Sequence, residues 1–308
     1  MLNPVHLRTL TAVVRTGSFA DAARRLGYTA SAVSQQIAAL ERAVQVPLFE
    51  RDAHSITATP AAEFLAERAH DALLALDGLD DDVRGLAAGE LGRLRLGSFP
   101  TASERLLPGG LSAYRDDHPD VRVELDEGEP AELVALLRDG ELDVAVVYRY
   151  DLVPQRWPAG LVRTPLVDER LLLLLPDGHP LVRPARVTLA DLADETWVRT
   201  REGSSGATCL DRMCAVADFV PRVSVRSNDY DVIREFVRSG LGIALVPALA
   251  HEPAEGIATR TLDDVDVRRH VLALHRATGV GPTAPVLIAA LAAAAVDVAA
   301  RIDGVDPA

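Results

Sequence analysis

The chain has 308 residues, 48% of them hydrophobic and 25% charged, which is enough for two or three packed cores. Two cysteines build no disulfide framework, and the longest apolar run, Val286 to Val296, is shorter than the roughly 18 residues of a membrane span; a disulfide-stapled or membrane-spanning protein is set aside. The start "MLNPVHLRTL" lacks a basic stretch leading into an apolar core, so a cytoplasmic protein with no membrane partner is expected.

The net charge of −13 is unevenly placed: residues 1–60 carry six Arg against four acids, residues 61–90 two against eight, and the remainder −9. DNA is therefore a permitted partner of the first segment and a disfavoured one of the rest. That segment reads as short helices. Leu7, Leu10 and Val14 mark the first, and Phe19, Ala22, Ala23 and Leu26 the second. Gly17 stops the first helix and Ser18 caps the second. A third helix over 30–42 has a core stripe of Val33, Ile37 and Leu40, and opposite it the short uncharged polar residues Ser31, Ser34 and Gln35. "VPLFERDAHSITAT" (46–59) reads as two short strands around a polar turn.

Thr59 and Pro60 supply an N-cap and a first-turn proline for a long helix over 61–89. Its apolar residues Leu65, Ala69, Ala72, Leu76, Leu79, Val83 and Leu86 are spaced alternately four and three apart, the repeat of a coiled-coil seam. This segment is expected to join two copies of the chain.

From residue 90 the pattern alternates strands and helices. "RLRLGS", "VRVELDE", "LDVAVVY", "RLLLLLP", "TWVRT", "RVSVRS" and "GIALVP" are predicted strands. Helices are predicted near 104–116, 130–139, 205–217 and 229–239. Buried apolar strands between amphipathic helices predict parallel α/β sheets, too many for one small sheet, hence two lobes with a cleft between them. No catalytic residue, metal cluster or cofactor motif stands out: "GSSG" (203–206) lacks a nucleophile elbow, and no phosphate loop or paired His or Cys spacing occurs.

Taken together, Gly17-Ser18-Phe19, Ala22-Ala23, Leu26, Ala32-Val33-Ser34, Gln36-Ile37, Leu40-Glu41 and Pro47-Leu48-Phe49-Glu50-Arg51 resemble the winged helix-turn-helix of LysR-type transcriptional regulators. "LLPGGLSAYRDDHPDVRVEL", "LVALLRDGELDVAVV" and "IREFVRSGLGIALVP" resemble the effector-binding domain of the same family, in family order. The resemblance implies an α/β protein with an all-α winged helix-turn-helix (1–60), a coiled-coil dimerisation helix (61–89) and a two-lobed regulatory domain like a periplasmic binding protein (90–308). Lobe I would be about 90–162 with 268–308, and lobe II about 163–267.

The resemblance further implies a base-reading face of Ala30, Ser31, Ser34 and Gln35, and phosphate contacts from Ser18, Thr29, Arg51 and, on the wing, His54. Ala30 stands where Gln is frequent and Gln35 where Arg is frequent, so fewer charged contacts to guanine are expected. An effector is implied against Phe99, Pro100, Thr101, Glu129, Tyr148 and Arg149 on one lobe and Thr200 and Ser204 on the other. Glu129 stands where Thr or Ser is common, which argues against a purely anionic ligand. The implied partners are an inverted-repeat operator in double-stranded DNA, a small-molecule effector, further copies in a dimer or tetramer, and RNA polymerase. In the peroxide-sensing branch of the family, Cys214 would match the second sensing cysteine, but Ser205 occupies the first position. Cys209 and Cys214, five apart on one helix, would lie roughly 8–9 Å apart, too far for a disulfide, and are expected to be buried and inert.

Overall fold

The structure, a computed structural model, describes residues 2–51, 56–88 and 92–308. It divides into an N-terminal unit, Met1–Leu91 with Thr278–Gly281, and a C-terminal unit, Gly92–Ala277 with Pro282–Ala308.

In the N-terminal unit α1 (Pro4–Thr16), α2 (Phe19–Leu26) and α3 (Ala30–Val44) follow the predicted pattern. Gly17 and Gly27 close α1 and α2 at φ 66° and 71°, a backbone that residues with a Cβ rarely adopt. Ser18 and Thr29 cap the following helices, accepting from the amides of Asp21 (3.3 Å) and Ala32 (3.2 Å). Leu10, Val13, Ala22, Val33, Ile37 and Leu40 are fully buried together. The two wing strands, β1 (Phe49–Arg51) and β2 (Ile56–Ala58), pair antiparallel. Glu41 of α3 anchors them, its carboxylate accepting from the amides of Leu48 (2.8 Å) and Phe49 (3.3 Å).

Thr59 caps the long helix α4 (Pro60–Ala88), with Oγ1 3.2 Å from the Ala62 amide. The predicted seam is modified here. Ala62, Ala66, Ala69 and Leu73 are buried in the unit's own core and Leu65 packs against it, so the first two seam positions are spent within the chain. Ala72, Leu76, Leu79 and Val83 remain exposed as an apolar stripe beside that buried face. Leu86 belongs to α4, but its side chain lies outside the described residues. Heptad spacing alone does not separate the two faces, because they lie less than a quarter-turn apart around the helix.

The C-terminal unit carries β3 (Gly92–Ser98), α5 (Pro100–Arg105), α6 (Leu107–Asp117), β4 (Val121–Glu127), α7 (Pro130–Asp139), β5 (Val144–Tyr150) and β6 (Leu161–Pro176). It continues with β7 (Thr196–Arg199), α8 (Ser205–Val216), β8 (Arg222–Arg226), α9 (Tyr230–Arg238), β9 (Ala244–Pro247), β10 (Ile257–Arg260), β11 (Arg268–Arg276), α10 (Thr283–Arg301) and β12 (Val305–Pro307). The helix predicted near 104–116 is two helices, broken at Leu106 one residue before the second begins.

The sheets are mixed, which corrects the all-parallel expectation. β3 pairs parallel with β4 and β5, and β7 with β8, whereas β6, β9, β10, β11 and β12 pair antiparallel. The cause is β6, 16 residues long and shared by both lobes. Its first part, as far as Arg170, pairs with β11; from Leu171 it pairs with β9 and then β10. The strand pairing therefore changes hands near residue 170. The longest apolar run forms α10, 19 residues of mean hydropathy 2.0, long and apolar enough to cross a membrane by length and composition. Its Leu287, Ile288, Leu291, Ala295 and Val298 are buried in the unit. α6 meets it at Gly110, where a Cβ would lie 2.7 Å from the Leu291 side chain.

Candidate DNA interface and effector cleft

At the start of α3, the cap Thr29 and Ala30, Ser31 and Gln35 are exposed and Ser34 is half-buried; Ser31 and Gln35 lie opposite the fully buried Val33, Ile37 and Leu40, with Ala30 and Ser34 at the side. The uncharged side chains of Ser31, Ser34 and Gln35 bring two hydroxyls and an amide, the chemistry that pairs with donors and acceptors on base edges. Gln36, by contrast, turns inward and meets the buried Thr9 hydroxyl at 2.5 Å. Ser18 is half-buried and its hydroxyl caps α2. Tyr28, exposed immediately before the Thr29 cap, was not singled out by the sequence reading. Arg51 closes β1, and only its backbone is described; His54 lies outside the described residues.

In the C-terminal unit, the two walls of a cleft are built by strand ends and helix starts. Phe99 precedes α5 and is buried against Tyr148, the rings meeting edge to face at 4.8 Å. Pro100 opens α5 and is exposed. Tyr148 donates its hydroxyl to a Glu129 carboxylate oxygen at 2.7 Å. Burial first, and the adjacent Glu129 carboxylate second, hold the Tyr148 phenol well above the ordinary tyrosine range. Side chains alternate along a strand, so Tyr148 and Tyr150 share one face of β5 and Arg149 takes the other. Arg149 lies 3.8 Å from Asp151, which bonds His270, and it lines neither of the two cavities that flank Thr200 and Ser204.

Thr101 is also recast. It is buried, and its hydroxyl oxygen accepts from Arg269 Nη2 at 2.9 Å, so that oxygen is already engaged within the protein. Arg269 also donates through Nε to Glu169 at 2.6 Å and lies 5.1 Å from the ring centres of Phe99 and Tyr148. Burial works against its charge, but Glu169 beside it holds the guanidinium above its usual range. Glu169 completes the arrangement by accepting from the Leu249 amide at 2.8 Å. Neither Arg269 nor Glu169 was anticipated from sequence. A charged residue in a run of strand apolars, as in "RRHVLALHR", is the signal that was available.

Across the cleft, Ser204 caps α8, accepting from the Ala207 amide at 3.2 Å and donating to the Thr200 hydroxyl at 2.9 Å. Two cavities flank this pair. One of about 370 Å³ is bordered by Glu129 and Gln155 on one side and by Arg201, Ser204 and Asn228 on the other. The other, only about 20 Å³, reaches Tyr150, Arg199, Thr200, Gly206 and Tyr230. The cleft thus brings together Glu129, Thr200 and Ser204 with the unpredicted Tyr150, Arg201 and Tyr230. Cys209 and Cys214 are buried free thiols, each pushed up to about 12, mainly by burial.

Residues 4–63 match the model of the bacterial regulatory helix-turn-helix proteins of the lysR family, and residues 87–296 that of the LysR substrate binding domain. A probable hydrogen peroxide-inducible genes activator of Mycobacterium leprae is 31% identical over 82% of this chain and 80% of its own length. A full-length variant of OxyR from Pseudomonas aeruginosa is 25% identical with a TM-score of 0.59, covering 100% of this chain and 99% of that one. Full-length CbnR complexed with its target DNA aligns at a TM-score of 0.57 and 24% identity, over 95% of this chain and 100% of that one.

Proposed function

The chain belongs to the LysR family of bacterial regulatory helix-turn-helix proteins, and on that premise we propose how its own residues divide the work of a DNA-binding transcriptional regulator. The uncharged face of α3 reads an operator in the major groove, with Gln35 suited to the N6 and N7 of adenine. Ser18, Thr29 and Arg51 fix its register on the phosphates. Two copies join along the exposed stripe Ala72, Leu76, Leu79 and Val83 of α4, so that an inverted-repeat site meets two heads. A small effector occupies the cleft walled by Glu129, Tyr148, Thr200 and Ser204, and the protein works in the cytoplasm beside RNA polymerase.

The observation that carries the reading is the exposure of Ser31 and Gln35 on a helix whose opposite face is wholly buried. CbnR, with the same fold, is described in complex with its target DNA, which supports that use of the face. For the effector, the supporting feature is the cavity of about 370 Å³ with polar residues on both walls. A ligand acts on DNA binding only through unequal affinity for two conformations, and a cleft whose walls can approach supplies that difference.

The test is fluorescence anisotropy of full-length protein with a duplex from its own upstream region, against a scrambled duplex at matched salt. Preference for the upstream duplex of about 1,000-fold or more is expected of a specific regulator. Equal affinity for both duplexes removes the regulator reading.

A further inference from the structure

The charges that line the larger cavity are unusual in their pairing. Three charged side chains border it: Glu129, Arg201 and Glu202. Glu202 is compensated by Arg226 at 3.2 Å and Arg199 at 3.9 Å. Glu129 accepts a hydrogen bond from the neutral Tyr148 phenol and forms no ion pair among the described residues. Arg201 bonds Asn228 through its backbone amide, and its guanidinium likewise has no carboxylate partner among the described residues. The buried cations nearby are already neutralised, Arg269 by Glu169 and Arg199 by Asp211. One uncompensated carboxylate and one uncompensated guanidinium therefore border the same cavity from opposite walls, without pairing with each other.

From this we infer that the effector is a small zwitterion of the amino-acid class, carrying a protonated amine and a carboxylate on one molecule. The amine meets Glu129, whose orientation Tyr148 fixes from below. The carboxylate meets Arg201, with the hydroxyl of Ser204 and the amide of Asn228 within the same lining. A simple dicarboxylate would face Glu129 with like charge, and a simple amine would leave Arg201 unmatched. A molecule with both groups satisfies both walls at once and thereby favours their approach, which gives the binding event its mechanical consequence. The inference rests on the cleft being the effector site.

The experiment uses the full-length protein and the twenty protein amino acids as probes, read by thermal shift, because a ligand that prefers the folded state raises the melting temperature. Every hit is then titrated by calorimetry beside its two single-charge analogues, the amine without the carboxylate and the acid without the amine. At least one amino acid is expected to bind, with both analogues about 10-fold or more weaker, since each loses a charge-assisted hydrogen bond. Glu129→Gln and Arg201→Gln, both surface changes, should each weaken that amino acid by about 10-fold or more.

Absence of any amino-acid hit overturns the inference, as does an analogue that binds as tightly as its parent, or a hit that both variants leave unchanged. The cleft itself fails differently. A ligand of any charge whose affinity is unaltered by Glu129→Gln, Arg201→Gln and Tyr148→Phe binds elsewhere, whereas a carboxylate weakened by Arg201→Gln keeps the cleft and rejects only the zwitterion.

Discussion

Arg269 and Glu169 form an ion pair sealed inside the C-terminal unit, Nε to Oε1 at 2.6 Å, with side chains 1% and 0% exposed. The pair joins β11 to the part of β6 that lies just before its change of pairing partners. Removing one partner leaves an unpaired buried charge, whereas the intact pair is worth much less than that loss suggests. Arg269→Met alone should therefore destabilise by about 3–5 kcal/mol. Arg269→Met with Glu169→Gln, which keeps an acceptor for the Leu249 amide, should be distinctly less harmful than the single change. Thermal unfolding followed by circular dichroism compares them; a double variant less stable than Arg269→Met refutes the pairing account.

Thr101 belongs to the same cluster and yields a second prediction. Because its oxygen accepts from Arg269, Thr101→Val strands a buried guanidinium N–H and should cost about 1–3 kcal/mol of stability. Thr101→Ser keeps the hydroxyl and should retain most of it. Equal melting temperatures for the two variants would show that the hydrogen bond contributes nothing.

The cysteines permit a prediction about pH and oxidation. Both thiols are raised to about 12 against an ordinary 9, so the folded chain holds protons that the unfolded chain releases in that window. The folded state then binds more protons than the unfolded one, and stability falls as pH rises above about 9, with no contribution from these groups at pH 7. At pH 8 a thiol reagent should react slowly with native protein and rapidly with two thiols after denaturation. Hydrogen peroxide should form no Cys209–Cys214 disulfide, even though the mycobacterial relative is described as a probable activator of hydrogen peroxide-inducible genes. Rapid labelling of native protein at pH 8 would contradict the burial argument.

The legibility of the chain divides along physical lines. Local chemistry was readable: Ser18, Thr29 and Thr59 act as caps, and Val33, Ile37 and Leu40 form the buried stripe. The order of elements put Tyr148 at the end of β5 and Glu129 just before α7, and the structure joins the two by a hydrogen bond. What depends on distant partners was not readable. β11 lies about a hundred residues beyond its β6 partners, and only that pairing turns Arg269 inward to Glu169. Arg149 takes the face of β5 away from Tyr148 and Tyr150 because successive strand residues alternate, and nothing local says which face meets the cleft. The seam on α4 mixed two faces for the related reason that Ala69 is buried in the unit's own core and Leu76 is left exposed.

The exposed part of that seam supports a prediction on assembly. Leu76 and Leu79 are exposed apolar residues one turn apart on α4, outside the unit's own core. Glu at both positions leaves the monomer fold intact but places carboxylates against their symmetry mates, at a cost of several kcal/mol. Sedimentation should show dissociation of Leu76→Glu/Leu79→Glu, with circular dichroism unchanged. A variant that sediments as the parent assembly would mean that copies join through another surface.

The final prediction separates reading a sequence from holding a backbone. Gln35 is exposed on α3 and can offer one donor and one acceptor to an adenine edge, an interaction specific to that base. Arg51, at the end of β1, is assigned to a phosphate, which every sequence presents. Gln35→Ala should therefore leave scrambled-duplex affinity nearly unchanged while narrowing the gap between operator and point-mutated operator by about 1–3 kcal/mol. Arg51→Ala should weaken both duplexes alike and reduce the slope of log affinity against log salt by about one, because one fewer phosphate is neutralised. Anisotropy titrations at four salt concentrations on operator, mutated operator and scrambled duplex give all the required slopes. If Gln35→Ala lowers affinity equally on all three, Gln35 touches the backbone and the face of α3 is turned differently in the groove. If Arg51→Ala alters discrimination without changing the slope, the wing reads bases, and the division of labour between α3 and β1 is the reverse of the one proposed.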